Sequence, residues 1–108
     1  MLFDVRVLQR EGWSVLAVVG DVDLATLPAL RQEALNAGTE RVALDLSGVD
    51  HFDPLGFGIV VALRLRVARQ GGRFVVICPP GRARELFAES RMDSIVELVD
   101  SFDDLAVR

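Results

Sequence analysis

Residues 41–78 read RVALDLSGVDHFDPLGFGIVVALRLRVARQGGRFVVIC, and this stretch decides the fold. Residues 41–46 predict a strand, and residues 47–53 predict a loop rich in Ser, Gly and Asp. Residues 56–70 predict a helix with a mainly apolar first half. Residues 74–78 are wholly apolar, which is typical of a strand that is covered on both faces. A strand, a helix and a second strand in this order indicate a parallel crossover, and therefore an α/β sheet.

The residues before this stretch predict a hairpin and a helix. Val5 and Val7 alternate with the polar residues Arg6, Gln9 and Arg10, as in a half-buried edge strand. After a turn at Glu11-Gly12, residues 14–19 predict a more buried strand that Gly20 stops. The apolar residues that follow recur at three- and four-residue spacing, which predicts an amphipathic helix with Thr26 as its N-cap. These apolar residues are Leu24, Leu27, Leu30, Ala34 and Leu35.

The residues after the central stretch complete the α/β pattern. Residues 82–89 predict a short helix, residues 95–99 predict a last strand, and Ser101 is the expected cap of a final helix. The element order β-β-α-β-α-β-α-β-α predicts a single α/β domain over residues 1–108. Its sheet is expected to be mixed but mostly parallel, with about five strands and about four helices, because only the opening hairpin is antiparallel.

The composition is that of a globular domain. The chain has 108 residues, of which 51% are hydrophobic and 26% are charged, and its net charge is −4. Phosphate backbones require clustered positive charge, so we expect no direct binding of nucleic acid. A single Cys and a single His exclude an internal disulfide and a zinc set. The sequence shows neither a signal peptide nor an apolar run of about 18 residues, which predicts a cytoplasmic protein without a transmembrane segment.

Motifs for catalysis and cofactor binding are absent from the sequence. It contains neither the glycine-rich dinucleotide motif nor the phosphate-binding loop with its lysine. Ser47, His51 and Asp53 have the residue types of a catalytic triad, but they lie on one short loop, and a triad is defined by geometry rather than by composition. Cys78 ends an apolar strand without a neighbouring cation, which favours a buried structural thiol. We therefore expect no catalytic residue, no metal site and no cofactor.

Two segments form a candidate binding site, because each follows a strand and opens a helix. In residues 53–58, Leu55 and Phe57 surround a helix N-terminus, unless they simply pack into the core. Such a terminus attracts anions, and open α/β sheets bind ligands at the carboxyl ends of their strands. In residues 20–23, two carboxylates lie at a second such position, and one of them is expected to cap the helix. The two glycines of residues 53–58 would let another backbone approach closely. The candidate partner-binding residues are Asp21, Asp23, Asp53, Pro54, Leu55, Gly56, Phe57 and Gly58.

Several segments in order resemble the STAS family, the anti-sigma-factor antagonist domains of bacteria. GDVDLAT at residues 20–26 resembles the family's G-E-L-D-x-x-T, and DLSGV at 45–49 followed by Phe52-Asp53 resembles D-L-S-x-V-x-F-x-D. GFG at 56–58 resembles the G-L-G that opens the second helix, and Gly71-Gly72 with the strand after it resembles the segment that follows. Residues 84–87 resemble the V-x-x-L-F of the third helix. The resemblance spans nearly the whole chain.

The resemblance implies a non-catalytic regulator that works by partner switching. Family members of this kind bind an anti-sigma factor that is also a serine kinase, and phosphorylation of a Ser in a D-S-S-G or D-x-[ST]-G motif releases them. The matching stretch here is Asp53-Pro54-Leu55-Gly56, so that Leu55 occupies the position of the phosphorylated Ser. Neither Leu55 nor Pro54 has a hydroxyl to accept a phosphoryl group. We therefore expect binding to an anti-sigma factor or related kinase-fold protein without the usual switch.

Two other functions remain open, as does a homodimer. In the first alternative, the chain is a STAS subunit of a lipid-transport ABC complex or of a stressosome-like assembly. In the second it is a sensor of a nucleotide or another small ligand, which would bind at the helix N-terminus. A neighbouring gene for a kinase-fold anti-sigma factor or for an ABC permease would separate the first alternative from the main prediction. Nucleotide retained on the purified protein would favour the second.

Overall fold

The computed structural model describes residues 2–106, which contain one five-stranded sheet. The strands are β1 (Asp4–Arg10), β2 (Trp13–Val22), β3 (Arg41–Phe52), β4 (Arg73–Ile77) and β5 (Glu97–Val99). They lie in the order β1-β2-β3-β4-β5, with β1 antiparallel to β2 and every other neighbouring pair parallel. The mixed, mostly parallel sheet that the sequence predicts is therefore confirmed.

Four helices in the described part of the chain connect or follow these strands. They are α1 (Leu27–Ala34), α2 (Phe57–Arg69), α3 (Arg82–Glu89) and α4 (Asp103–Ala106). Single 3-10 turns at Pro54–Gly56 and Met92–Ser94 precede α2 and β5, respectively. The predicted element order is confirmed. Among residues 2–106, no helix combines the length and the apolar character that crossing a membrane requires.

The sheet has a hydrophobic core on each face. On one face, α1, α2 and α3 pack against the strands in the larger cluster, to which they contribute residues such as Leu30, Leu63 and Phe87. On the other face, Phe102 and Leu105 of the C-terminal segment cover a smaller cluster. The side chains of β4 alternate between the two clusters. This explains why the β4 sequence is apolar without interruption.

Both central strands are longer than the sequence predicts. The prediction that Gly20 stops β2 is wrong, because β2 continues to Val22. Gly20 has a φ of 101°, and the register between β2 and β3 shifts on either side of it. The glycine therefore allows an irregularity within the strand rather than ending it. The predicted loop at residues 47–53 is also wrong for most of its length, since β3 runs on to Phe52.

The apolar face predicted for the first helix is partly wrong. The helix begins at Leu27, as the predicted N-cap at Thr26 requires. Leu24, which its spacing assigns to the apolar face, therefore lies before the helix and is 71% exposed. Leu35, just after the helix, is exposed as well. Leu27, Leu30 and Ala34 are buried as predicted. The helical spacing is thus real, but the helix is shorter at both ends than the spacing suggests.

Other element ends, and the cap of α4, differ from the prediction by one or two residues or in the capping side chain. The last strand begins at Glu97 rather than at residue 95, because a 3-10 turn occupies the residues before it. The 3-10 turn at Pro54–Gly56 likewise delays the start of α2 by one residue. At α4, the carboxylate of Asp104 accepts hydrogen bonds from the backbone N–H groups of Asp100 and Ser101, so the side-chain acceptor there is Asp104 and not Ser101.

Candidate functional site

The end of the sheet where β2 and β3 finish brings the two candidate segments together. Val22 and Phe52 are partners in the parallel register, and the backbone N–H of Asp53 donates to the carbonyl of Val22 at 2.8 Å. Residues 21–23 therefore lie beside the segment that begins at Asp53. We call residues 21–23 and 53–58 the two-loop surface. The sequence predicts this neighbourhood, although it does not predict that β3 itself reaches it.

Asp53 caps the turn that leads into α2. Its backbone is extended, with φ −73° and ψ 135°, and its Oδ1 accepts a hydrogen bond from the N–H of Leu55 at 2.8 Å. The N–H of Gly56 donates to the Asp53 carbonyl, also at 2.8 Å. The negative carboxylate is favourable beside the positive end of the helix dipole. An anionic ligand at this terminus would meet that carboxylate, which counts against the nucleotide-sensor alternative.

Leu55 presents an apolar side chain to solvent directly beside this cap. It is 57% exposed, and Pro54 before it is exposed as well. The alternative in which Leu55 packs into the core is therefore wrong. Its exposure has a local cause, since the 3-10 turn directs the next buried positions to Gly56 and to the first turn of α2.

Three phenylalanine rings pack together on the core side of the start of α2. The ring of Phe57 is half-buried and lies 5.2 Å from that of Phe52 and 4.9 Å from that of Phe87, measured between centroids. Phe52 and Phe87 are themselves 5.7 Å apart and fully buried. Tilted and edge-to-face arrangements of this kind are favourable for aromatic pairs. The core interpretation of Phe57 therefore accounts for its position, and the ring supports the surface rather than projecting from it.

The two glycines of this segment have different surroundings. A Cβ added at Gly56 would lie 2.7 Å from Cζ of Phe52, so the ring beneath it requires a glycine there. At Gly58, which is exposed, no heavy atom of residues 2–106 lies within 4 Å of such a Cβ. Gly58 is therefore the one of the pair at which another backbone can approach without hindrance from this chain.

Hydrogen bonds at the β2–α1 connection fix the Asp23 carboxylate and the backbone of Asp21. Asp23 Oδ1 accepts from the N–H groups of Ala25 and Thr26 at 2.9 and 3.1 Å. The Thr26 hydroxyl donates to the Asp21 carbonyl at 2.7 Å and accepts from the N–H of Asp23 at 2.9 Å. Thr26 stands at the N-cap position of α1, as predicted, but its side chain makes no cap bond. The Asp23 carboxylate instead caps the turn of residues 23–26 that leads into the helix. The Thr26 hydroxyl is already engaged as donor and acceptor.

The carboxylates of the two-loop surface are not neutralised within the described part of the chain. None of the ion pairs among residues 2–106 includes Asp21, Asp23 or Asp53. Asp50, two residues before Phe52, is exposed and likewise lacks an ion pair in this range. The surface thus combines negative charge with the exposed side chain of Leu55. Such a surface favours a partner that supplies positive charge and an apolar pocket.

Leu24 is a feature of this end that the sequence prediction missed. Its helical spacing assigns it to the buried face of α1, yet it is strongly exposed on the β2–α1 connection. The signal that marks it is the Asp23–Thr26 turn, which delays the start of the helix to Leu27. Leu24 therefore adds a second exposed leucine to the end of the sheet that carries Leu55.

The structure gives no support to a catalytic or metal-binding interpretation of the β3 segment. The Ser47 hydroxyl donates to Asp45 Oδ1 at 2.6 Å instead of to His51. His51 is exposed, and the Asp53 carboxylate caps the turn at Leu55. Across residues 2–106, no group of three or more His, Cys, Asp or Glu side chains is placed to hold a metal ion.

Cys78 is buried, as the sequence predicts, although it directly follows β4 rather than ending it. Burial raises the pKa of its thiol above the usual value, the nearby Arg84 opposes this shift, and Asp100 adds to it. Arg84 also donates to the Cys78 carbonyl at 2.5 Å and to Asp100 Oδ1 at 2.8 Å. The fold therefore does bring a cation near the thiol, which the neighbouring sequence does not reveal. Desolvation nevertheless dominates, and a buried thiol of raised pKa is unreactive.

Comparison with known proteins agrees with the geometry. The sequence model described as "Mlab, STAS domain" matches residues 6–100. A protein of Thermotoga neapolitana that is named as a candidate anti-sigma factor antagonist is 29% identical over 72 residues, which make up 67% of this chain and 64% of that relative. The match thus spans less than two thirds of the relative's length.

Solved structures share the fold over almost the whole chain. An anti-sigma factor antagonist from Mycobacterium paratuberculosis has a TM-score of 0.84 and 25% identity, over 95% of this chain and 90% of that one. The Bacillus cell fate determinant SpoIIAA, in its phosphorylated form, has a TM-score of 0.67 and 18% identity, over 99% of this chain and 100% of that one. The fold, the order of the elements and the match over residues 6–100 agree with the resemblance found in the sequence. The chain belongs to the STAS domain family.

Proposed function

We propose that this chain is a non-catalytic regulator that acts in the cytoplasm and binds an anti-sigma factor, or a related kinase-fold protein, through the two-loop surface. The contact residues of the proposal are Asp21, Asp23, Asp53, Pro54, Leu55, Gly56, Phe57 and Gly58. Gly56 and Phe57 contribute by fixing the backbone of residues 53–58 on the core, since both pack against the ring of Phe52. The observation that carries the proposal is the exposed Leu55 at the start of α2.

The chemistry of the two-loop surface defines what the partner must offer. An apolar pocket has to receive Leu55, whose full burial contributes about 1.5–3 kcal/mol, or one to two decades of affinity. Basic side chains have to face the carboxylates, which no ion pair in residues 2–106 neutralises. Opposite charges of this kind steer association and set specificity more than they add affinity.

The proposed interaction is not controlled by phosphorylation of the two-loop surface. Leu55 and Pro54 lack hydroxyls, and the nearby Thr26 hydroxyl is engaged on both sides by the β2–α1 connection. A phosphoryl group on this surface would add about −1.5 to −2 charges next to the Asp53 carboxylate. Leucine at this position instead keeps the contact apolar. The chain is therefore expected to remain competent to bind in the presence of ATP.

Leu55→Asp tests the proposal. Asp at this position is compatible with the fold, because the side chain is exposed and the helix dipole favours an acid there by about 0.3–1 kcal/mol. It replaces the apolar contact with a charge beside Asp53, so we expect the affinity for the partner to fall at least about tenfold. Calorimetry with an anti-sigma factor from the native host measures the affinity, and circular dichroism confirms the fold.

Ile95→Asp is the matched control. Ile95 is also an exposed apolar residue, but it precedes β5 and thus lies at the opposite end of the parallel strands. Its replacement is expected to leave the affinity unchanged. Equal affinities of the wild-type chain and Leu55→Asp would contradict the proposed surface, and equal losses in both variants would place the contact elsewhere.

The second candidate function is a STAS subunit of a different assembly, such as a lipid-transport ABC complex. The observation that favours it is the description of the matching sequence model, "Mlab, STAS domain", which differs from the names of the solved antagonists. A pull-down from the native host with mass spectrometry separates the two. Recovery of a kinase-fold protein supports the first function, and recovery of an ABC permease or its ATPase supports the second.

A further inference from the structure

The outer edge of β1 is a candidate interaction surface that is separate from the two-loop surface. β1 is an edge strand, and within residues 2–106 no strand pairs with its outer side. The free N–H and C=O groups of such an edge are a template for another strand. Three of its seven residues are charged, and their spacing determines which strand fits.

The hairpin geometry determines which backbone groups of β1 point outward. β1 and β2 are joined by the turn at residues 11–12, where both residues have positive φ, 48° and 85°. These values are typical of a type I′ turn, which matches the twist of a two-residue hairpin. The residues that flank such a turn, Arg10 and Trp13, form a hydrogen-bonded pair, and bonded pairs alternate along the ladder. The groups that face the free edge therefore belong to Val5, Val7 and Gln9.

The side chains of β1 separate into an apolar and a charged face. Val5 and Val7 pack against the helix-covered core. The even-numbered residues project from the other face: Asp4, Arg6, Leu8 and Arg10. Arg10 is held in place by the ring of Phe102, which lies 4.1 Å from its guanidinium carbon.

The charges on that face are self-complementary in one antiparallel register. When two copies pair about Val7, all seven residues have partners and Asp4 of each copy lies opposite Arg10 of the other. Two other antiparallel registers also pair at least five residues and let the outward backbone groups of the two copies bond to each other. One of them sets Arg6 opposite Arg6, and the other sets Arg6 opposite Arg10. Parallel in-register pairing also aligns identical charges. Directly opposed like charges destabilise a sheet, whereas opposite charges stabilise it.

We propose that two copies of this chain associate through β1 about a two-fold axis at Val7, which makes one sheet continuous across both copies. In the single chain, Asp4 Oδ2 already accepts from the Arg6 guanidinium at 2.7 and 2.9 Å. The pairing supplies about six backbone hydrogen bonds and brings Arg10 of each copy to the Asp4–Arg6 ion pair of the other. It also lays the aliphatic stem of Arg6 along Leu8 of the other copy, a residue that is 46% exposed in the single chain. The contact is smaller than a standard interface, so the dimer is weak. No residue of the two-loop surface belongs to β1.

Charge reversal at the two ends of β1 tests the register. Analytical ultracentrifugation of the wild-type chain at concentrations from about 10 µM to 1 mM gives the dissociation constant of the dimer. Asp4→Arg alone and Arg10→Asp alone each set like charges opposite one another twice, and each is expected to weaken the dimer at least about tenfold. The double variant Asp4→Arg/Arg10→Asp restores opposite charges between the copies. It is expected to dimerise more tightly than either single variant but not fully, because Asp4→Arg also removes the ion pair with Arg6 of the same chain.

Glu40→Arg is the control for net charge, since it changes the charge equally at an exposed residue outside β1. It is expected to leave the dimer unchanged, with circular dichroism as the folding control for every variant. A wild-type chain that stays monomeric at about 1 mM overturns the proposal. A dimer that the single reversals leave intact also overturns it. So does a double variant that dimerises no better than the single variants, because the charges at positions 4 and 10 are then not opposed.

Discussion

Gly56→Ala and Gly58→Ala are expected to change the stability of the chain in opposite directions, although the two glycines are only two residues apart. The Cβ added at Gly56 would lie 2.7 Å from Cζ of Phe52 and 3.1 and 3.2 Å from its Cε2 and Cε1 atoms. That ring is 1% exposed and packs against Phe57 and Phe87, so it has no space into which to move. In the described part of the chain, no heavy atom lies within 4 Å of the Cβ added at Gly58.

The magnitudes follow from these two environments. Overpacking at Gly56 costs about 1–3 kcal/mol, from which the better backbone propensity of Ala recovers at most about 1 kcal/mol. The backbone itself accepts Ala, since φ at Gly56 is −65°. At Gly58, in the first turn of α2, only the propensity changes, so Ala is expected to stabilise the fold by about 0.5–1 kcal/mol. The two variants should therefore differ by about 1–3 kcal/mol.

Urea denaturation followed by circular dichroism measures both differences against the wild-type chain. The midpoint is expected to fall for Gly56→Ala and to rise for Gly58→Ala, with the slope of the transition unchanged in both. Stabilisation of both variants would show that Phe52 does not lie beneath Gly56. Destabilisation of both would show that the start of α2 is packed against something at Gly58 as well.

Two further predictions concern Asp23 and Cys78. Asp23→Asn keeps the Oδ1 that accepts hydrogen bonds from the N–H groups of Ala25 and Thr26, so the melting temperature should change little. Calorimetry should nevertheless show weaker binding of the partner. A large drop in melting temperature with unchanged affinity would mean that Asp23 acts only as a cap. Burial raises the pKa of the Cys78 thiol above 9.0. From about pH 9 upward, the unfolded chain therefore loses the thiol proton while the folded chain keeps it. As a result, the free energy of unfolding falls as pH rises. The sequence has no Lys and no Tyr, so urea titrations between about pH 8 and 11 should show this decline in the wild-type chain and not in Cys78→Ala; the same decline in both would refute a buried, raised thiol.

The element order could be predicted from the sequence because hydrophobic period and element length carry it. The uninterrupted apolar run of β4 predicts a strand covered on both faces, and both clusters do pack against it. The extension of β3 could not be predicted. Asp50 and His51 make its last part polar, and that part is a strand only because β2 continues beside it past Gly20. Strand pairing of this kind is a tertiary effect that local propensity does not contain.

The position of the candidate site could be predicted, but not which of its side chains are exposed. Leu55 and Phe57 are both apolar and lie two residues apart, yet one projects into solvent while the other packs on Phe52 and Phe87. The difference depends on the 3-10 turn and on a ring from α3, which is distant in the sequence. Leu24 was missed for a related reason, because hydrogen bonds of the Asp23–Thr26 turn decide where α1 begins.

Incubation of the complex with ATP decides whether the chain is a regulator without a phosphorylation switch. The partner is captured from the native host, and the mass and the bound fraction of the chain are followed over time for the wild type and for Leu55→Ser. The wild-type chain is expected to keep its mass and to remain bound, because no hydroxyl stands at Leu55 or Pro54. Leu55→Ser is expected to gain the mass of one phosphoryl group and to dissociate, as added charge beside Asp53 opposes an apolar contact. A wild-type chain that gains that mass and is released by ATP would contradict the account.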